Sequence, residues 1–358
     1  MPRPGTRVVV VTVGLVLAAL LAVVVLVLVV GVPFGPGRSD LARAVAGAPA
    51  GTERASWTDW AGVRAELGND VDARSGADEL RTFLDQAYDA DLSSRSALLQ
   101  SAPALQTRFG FSPASAEWEL FSQSADGAVI TVRMPDDTDF DDLAERLTEL
   151  GYAPPDSDDG VWVGGPDLLS ALSANLTPEL GYVVLVRDDH LVMASDQQPF
   201  LESAVGSATG DEDGADGLDE VADALGEPLS AALYTGEYAC GALAMGQGDA
   251  RDQAQATALV AAAGTVDPYL AFAMGVLAEG GVRVAMEFAD DDQARANADS
   301  RTVLATGPAV GQGGDFADRF ALRSASADGT VVVLDLAPVA GAYVLSDLST
   351  GPVLFATC

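Results

Sequence analysis

The sequence predicts an α+β protein made of an N-terminal transmembrane helix, a small helical region and two antiparallel-sheet lobes with helices. Residues 8–32 carry no charged side chain, which indicates a membrane helix. Apolar residues after residue 54 first follow helical spacing, and after residue 117 they alternate as in strands. The predicted domains are a cytoplasmic stub and transmembrane anchor (1–32), a Pro/Gly/Ala-rich stalk (33–53), a helical region plus first lobe (54–206), an acidic linker (207–217) and a second lobe (218–358).

The N-terminal apolar segment is long enough to cross a bilayer, because about 20 apolar residues span the hydrocarbon core. Arg3 and Arg7 precede it without an acidic residue, which predicts a cytoplasmic N-terminus. A cleavable signal peptide is the alternative, although its apolar region is normally about 7–15 residues long. We therefore expect a single-pass protein of the cell membrane whose C-terminal domain is extracytoplasmic.

Three helices are predicted between the stalk and the first strand. The first begins at a cap formed by Thr58 or Asp59. The second covers 75–88 with amphipathic spacing, and the third covers 94–109 and ends at Gly110. Together these helices make up the small helical region.

Both lobes show the turn residues and alternation of antiparallel hairpins that are joined by helices. The first lobe is predicted to have strands at 117–122, 128–134, 161–163, 182–187 and 190–195, and helices at 140–150, 167–175 and 198–205. The second lobe is predicted to have strands at 269–274, 282–288, 320–326 and 330–336, and a helix at 290–305.

The two lobes share a short stretch of similar sequence. An ungapped alignment of 118–134 with 320–336 gives seven identical positions, including the Ser-Ala-Asp-Gly of each turn. An internal duplication explains these matches, and so does independent selection of the same turn residues. Both explanations stay open at this stage.

The charge of the chain excludes several functions. The sequence has 53 acidic residues against 19 basic ones, all of them arginine, and its net charge is −34. Without lysine it cannot form a Schiff base or a P-loop contact, and its charge would repel nucleic acid. A strongly acidic surface favours solubility, and an affinity for divalent cations or a basic partner is the alternative reading.

No catalytic, cofactor-binding or metal-binding residue is predicted. His190 follows an acidic turn and is interpreted as a surface residue. The acidic run 137–141 resembles a calcium loop, but Asp142 stands where that loop requires glycine. The glycine-rich segments 246–248 and 311–314 do not follow a strand, as a dinucleotide-binding fingerprint would.

The two cysteines, Cys240 and Cys358, are expected to form an intramolecular disulfide, because an exported domain meets an oxidising compartment. Such a bond closes a loop of 118 residues and, on the chain-entropy model, stabilises the fold by about 4–5 kcal/mol. Two free thiols or an intermolecular bond are the alternatives.

Two motifs carry a resemblance. The run Arg54-x-Ser-Trp-Thr-Asp-Trp-x-x-Val-Arg64 behind an anchor, together with the ending Gly351-Pro-Val-Leu-Phe-Ala-Thr-Cys358, resembles uncharacterised exported proteins of actinobacterial type. The first motif covers about a dozen residues, and the resemblance implies no activity. We expect a non-catalytic extracytoplasmic cell-envelope protein that acts as an interaction or structural module, with an envelope protein as a candidate partner. The alternative is a ligand- or divalent-cation-binding sensor ectodomain.

Overall fold

The computed structural model of the protein describes residues 38–157 and 159–358. Within it, Ser39–Cys358 form one compact unit. The predicted membrane segment 8–32 lies outside the described residues, and no helix of the described part is long and apolar enough to cross a membrane.

The strands of both predicted lobes join in one antiparallel sheet of eleven strands. Their bounds are β1 Arg54–Thr58, β2 Trp118–Gln123, β3 Ala128–Arg133, β4 Trp162–Val163, β5 Tyr182–Val186, β6 Leu191–Ser195, β7 Ser230–Thr235, β8 Ala271–Val276, β9 Val282–Glu287, β10 Phe320–Asp328 and β11 Val331–Pro338. The spatial order is β10-β11-β9-β8-β7-β1-β2-β3-β6-β5-β4.

The predicted α+β class with antiparallel strands is confirmed, but the division into two separate sheets is wrong. Strand β1 pairs with β2 on one side and with β7 on the other, so these two strands join the halves. Neither was predicted. Strand β1 has only five residues and is followed at once by the helix-capping Asp59, so the helix signal dominates its sequence. Strand β7 is buried at five of its six positions and begins with the small residues Ser-Ala-Ala, so it lacks the alternation that marks a half-exposed strand.

Twelve α-helices accompany the sheet in the described part of the chain. They are α1 Asp40–Ala46, α2 Trp60–Glu66, α3 Ala77–Asp89, α4 Ala102–Ala104, α5 Phe140–Leu150, α6 Gly165–Leu172, α7 Gln198–Thr209, α8 Asp219–Leu225, α9 Gly236–Ala242, α10 Ala250–Ala263, α11 Asp291–Ala305 and α12 Val344–Leu348. The third predicted helix is shorter than expected, because only α4 and the π-helical turn Leu105–Phe109 are helical within 94–109.

The sheet is covered on both faces. In β8, Phe272 and Met274 belong to the larger apolar cluster, whereas Ala271 and Ala273 belong to a second cluster on the opposite face, as strand alternation requires. The second cluster includes α1 and α8, and a third includes α7 over β5 and β6. The larger cluster contains residues from both halves of the sheet, so the core on that face is continuous across them.

The two halves of the sheet repeat one strand order. The order β1-β2-β3-β6-β5 matches β7-β8-β9-β11-β10 position by position, and β1 meets β7 at the centre. In this repeat the β2–β3 hairpin corresponds to β8–β9, not to β10–β11. The ungapped sequence alignment therefore pairs hairpins at different positions, and its seven matches reflect similar turns.

The expected stalk and linker are partly folded into the unit. Helix α1 is capped by the Ser39 hydroxyl, which accepts from the Ala42 N–H at 3.2 Å, and it packs on α8. In the acidic segment, the Ala215 N–H donates to the Ala48 carbonyl at 2.8 Å. A Cβ on Gly214 would overlap the Ala46 carbonyl oxygen, so only glycine fits this crossing.

Candidate functional site

A cavity of 460 Å³ lies beside the central strands, where the two halves of the sheet meet. Its walls come from β1, β2, β7, the loop between α3 and α4, helix α9 and the segment after α12. The lining residues are Arg54, Ala55, Ser56, Ser94, Arg95, Ser96, Ala97, Phe121, Gln123, Tyr234, Tyr238, Ala242, Leu243, Ser349 and Thr350. We call this the central cavity.

Two half-buried arginines line the central cavity. Arg54 donates from Nη1 to the Tyr238 hydroxyl at 2.6 Å, and its guanidinium carbon lies 5.3 Å from the centre of that ring. Arg95 has a buried Nε that finds no hydrogen-bond partner. Among the residues that the structure describes, neither arginine forms an ion pair with a carboxylate. The cavity therefore carries positive charge without a counter-ion from its own lining.

Two stacked tyrosines connect the arginines. The rings of Tyr234 and Tyr238 are 5.8 Å apart and nearly parallel. The Tyr234 hydroxyl donates to the Ser349 carbonyl at 3.1 Å. Burial raises the pKa of the Tyr234 phenol, and the charges of Arg95 and Arg54 oppose part of that rise. The phenol is thus protonated at neutral pH, and both guanidinium groups act on it.

A buried carboxylate holds the loop that carries Arg95. Glu119 on β2 accepts hydrogen bonds from the Ser96 hydroxyl at 2.6 Å, the Ala97 N–H at 2.7 Å and the Trp60 indole N–H at 3.0 Å. Burial raises the pKa of Glu119, and these donors offset part of the rise. Glu119 is not itself part of the lining, so it acts by positioning the loop.

The predicted disulfide attaches to helix α9, which forms one wall of the cavity. Cys240 and Cys358 are at disulfide distance with Cα atoms 5.8 Å apart, which confirms the predicted pairing. Cys240 belongs to α9, the helix that presents Tyr238 and Ala242 to the cavity. The bond therefore fastens this wall to the C-terminus.

Buried polar groups fix the C-terminal segment that supplies Ser349 and Thr350. Arg301 is fully buried and donates to the Phe355 and Asp267 carbonyls, both at 2.7 Å, and to the Thr357 carbonyl. Burial lowers the pKa of Arg301 to about 10, so it remains charged at neutral pH.

Asp91 fixes the start of helix α12, which precedes Ser349 and Thr350. Its carboxylate accepts the Leu345 N–H at 2.7 Å and the Ser346 N–H at 3.2 Å, at the beginning of α12. The backbone of Asp91 has a φ of 60°, which is unusual for a residue other than glycine. This geometry lets the loop after α3 reach α12, so two walls of the cavity are connected.

The histidine, the acidic run and the glycine-rich loop that the sequence singled out as possible functional residues do not line the central cavity. His190 has a φ of 50° in the β5–β6 turn, its ring is 5.9 Å from that of Phe140, and it does not line the central cavity. Asp139 caps α5 by accepting the Asp141 N–H at 3.0 Å, as expected for a helix start. The loop 311–314 lines a separate cavity of 320 Å³ beside α10. No group of three or more potential metal ligands occurs in the described ranges.

Sequence reasoning missed the central cavity. Arg54 stands at the first position of the motif that carries the resemblance, but nothing in the sequence connects it to Arg95 or Tyr238. These residues meet only because β1 pairs with both β2 and β7. An arginine at the start of an unrecognised central strand was the one available signal.

Comparison with known proteins identifies neither a family nor a function for this chain. No family model matches the chain, and no curated protein matches it. A solved structure described as "Structure of crystal form I of TP0453" is similar with a TM-score of 0.41 and 7% sequence identity, and the match covers 90% of this chain and 100% of that chain. A likeness of this degree carries no argument about function.

Proposed function

We propose that the protein is a non-catalytic, extracytoplasmic module of the cell envelope that binds a small polar ligand in the central cavity. The cavity itself carries this proposal. Its volume of 460 Å³ falls in the usual range of ligand sites, about 300–1,000 Å³. It favours the ligand-binding alternative over a purely structural module, because a structural seam would be filled with apolar side chains.

The lining favours a polar ligand and no catalysis. Most ligand pockets are lined mainly by apolar groups, whereas this one is lined by guanidinium groups, hydroxyls and the Gln123 amide. The lining includes no carboxylate or imidazole that could act as a general base. Its positive charge also argues against a divalent cation as the ligand of this cavity.

The location and origin of the protein are part of the proposal. Residues 8–32 would anchor the chain in the cell membrane with a cytoplasmic N-terminus, as the apolar segment predicts. The disulfide Cys240–Cys358 supports an extracytoplasmic location, because such bonds persist in oxidising compartments. The repeated strand order supports an origin of the folded unit by internal duplication. Membership of the actinobacterial-type exported group also stays a proposal.

Equilibrium dialysis against a small-molecule extract of bacterial cells tests the binding function. Full-length protein in detergent is compared with T350W, which puts a bulky ring at an exposed position of the cavity lining. T82W, at an exposed position on α3 that does not line the cavity, is the matched control. A second blocking variant, A242W, enters from α9.

We expect wild type and T82W to retain at least one compound that both blocking variants release. Melting temperatures close to that of wild type show that the variants are folded. Retention of the same compounds by all four proteins, or by none, would overturn the proposed function.

A further inference from the structure

We infer that the ligand of the central cavity is a small molecule bearing one oxyanion, a carboxylate or a phosphate, held between Arg54 and Arg95. This inference rests on the proposed binding function and names the chemical class of its ligand. Guanidinium groups recognise both oxyanions through paired N–H donors, so the two share one mode of recognition.

The first observation is that neither arginine forms an ion pair with a carboxylate of the described residues. In a chain with 53 acidic residues, carboxylates are available as partners for many of the arginines. At least eight arginines form ion pairs: Arg43, Arg81, Arg133, Arg146, Arg187, Arg283, Arg295 and Arg319. Arg54 and Arg95 are half-buried and line a cavity without such a partner. Burying a charge is costly unless an opposite charge or hydrogen bonds compensate it, and a bound anion would supply both.

The second observation is an unused donor of Arg95. The Nε of Arg95 is buried and has no hydrogen-bond partner, which is rare for a buried donor unless a ligand or water completes it. Arg54 uses one Nη for Tyr238, and that hydroxyl together with the ring beneath it fixes the guanidinium plane. A guanidinium that is already fixed loses little entropy when it binds an anion.

The surroundings restrict the ligand to a single anionic group. A second cavity of 440 Å³ shares Arg54, Gln123 and Tyr238 with the central one, and four acids line it: Glu53, Asp126, Glu179 and Asp196. These carboxylates would repel a second anionic group on that side. The remaining central lining combines four serines and one threonine with alanine, leucine and aromatic side chains, and this mixture suits a neutral, hydroxylated body that also has apolar faces.

The test is isothermal titration calorimetry on the full-length protein in detergent with three probes that share one body: glucose, glucuronate and glucose 6-phosphate. We expect glucuronate, glucose 6-phosphate or both to bind, and glucose to bind at least tenfold more weakly. R54Q and R95Q should each weaken binding of the anion at least tenfold. R74Q, which removes the same charge at an exposed position outside the cavity, should change the affinity less than twofold.

Equal binding of glucose and both anions, or binding of none of the three, would overturn the inference. Equal losses in R54Q, R95Q and R74Q would overturn it too, because they would show a general charge effect. In each case, a compound that wild type retains in dialysis and T350W releases would leave the binding function in place. If dialysis also finds no such compound, the proposed function fails as well.

Discussion

Replacing Arg301 by methionine should destabilise the folded unit more than any exposed arginine substitution on the same helix. The Arg301 guanidinium is fully buried and donates to three backbone carbonyls, two of which belong to the C-terminal segment. It also lies 5.5 Å from the ring centre of Tyr269 and 5.8 Å from that of Phe288. Methionine keeps much of the apolar contact and removes every donor.

The expected magnitude follows from these contacts. Three backbone carbonyls lose their donor, at about 1–3 kcal/mol each, with the lower end of that range for the partly buried carbonyls of Asp267 and Thr357. Removing the charge returns about 3 kcal/mol, the free energy that corresponds to the lowering of the Arg301 pKa by burial to about 10. The net loss is then about 3 kcal/mol, or about 4–5 °C in melting temperature for a unit of this size.

Chemical denaturation and thermal unfolding of the full-length protein measure the loss. R295M is the matched control, because Arg295 lies on the same helix and forms an exposed ion pair with Asp292, a type of pair that contributes about 0–1 kcal/mol. R301K keeps the charge but not the fork of donors, and it should fall between R301M and wild type. If R301M is as stable as R295M, the carbonyls need no donor and the reasoning is wrong.

Three further predictions concern the walls of the cavity. The double variant C240S/C358S should lose about 5 kcal/mol of unfolding free energy on the chain-entropy model, for a sequence separation of 118 residues, and an unchanged denaturation midpoint would contradict this. D91N should lose about 1–3 kcal/mol, because the carboxylate of Asp91 accepts backbone N–H groups of α12, whereas D89N at an exposed position should match wild type. Burial raises the pKa of Glu119, so the folded state binds the proton of this carboxyl more tightly than the unfolded state does. Proton binding therefore stabilises the folded state at low pH, and this stabilisation is lost as the pH rises from the pKa of the unfolded state through that of the folded state. The stability of wild type relative to E119Q should therefore fall as pH rises from about 4, and parallel pH profiles would refute this.

Local signals in the sequence predicted the outer strands and seven of the twelve helices in the described part, one of them too long, whereas α1, α8, α9, α10 and α12 were not predicted. The helix expected at 140–150 is Phe140–Leu150, and Gly151 ends it with a left-handed φ of 102°. The helix expected at 290–305 is Asp291–Ala305, capped by Asp290. Both have acidic first turns and clear ends, so local chemistry alone defines them.

The central strands and the cavity could not be predicted in this way. Strand β7 begins with the small residues Ser-Ala-Ala, and tertiary packing makes it a strand. Without β1 and β7 the two halves are read as separate lobes. Arg54, Arg95 and Tyr238 are distant in sequence and meet only through the pairing of β1 with both β2 and β7. Long-range pairing of this kind leaves no local signature.

The most direct test of the account is a crystal structure of the protein with the compound that wild type retains in dialysis. The compound should occupy the central cavity, with its carboxylate or phosphate hydrogen-bonded to the guanidinium groups of Arg54 and Arg95. A compound bound elsewhere on the folded unit, or bound in the cavity without contact to either arginine, would contradict it.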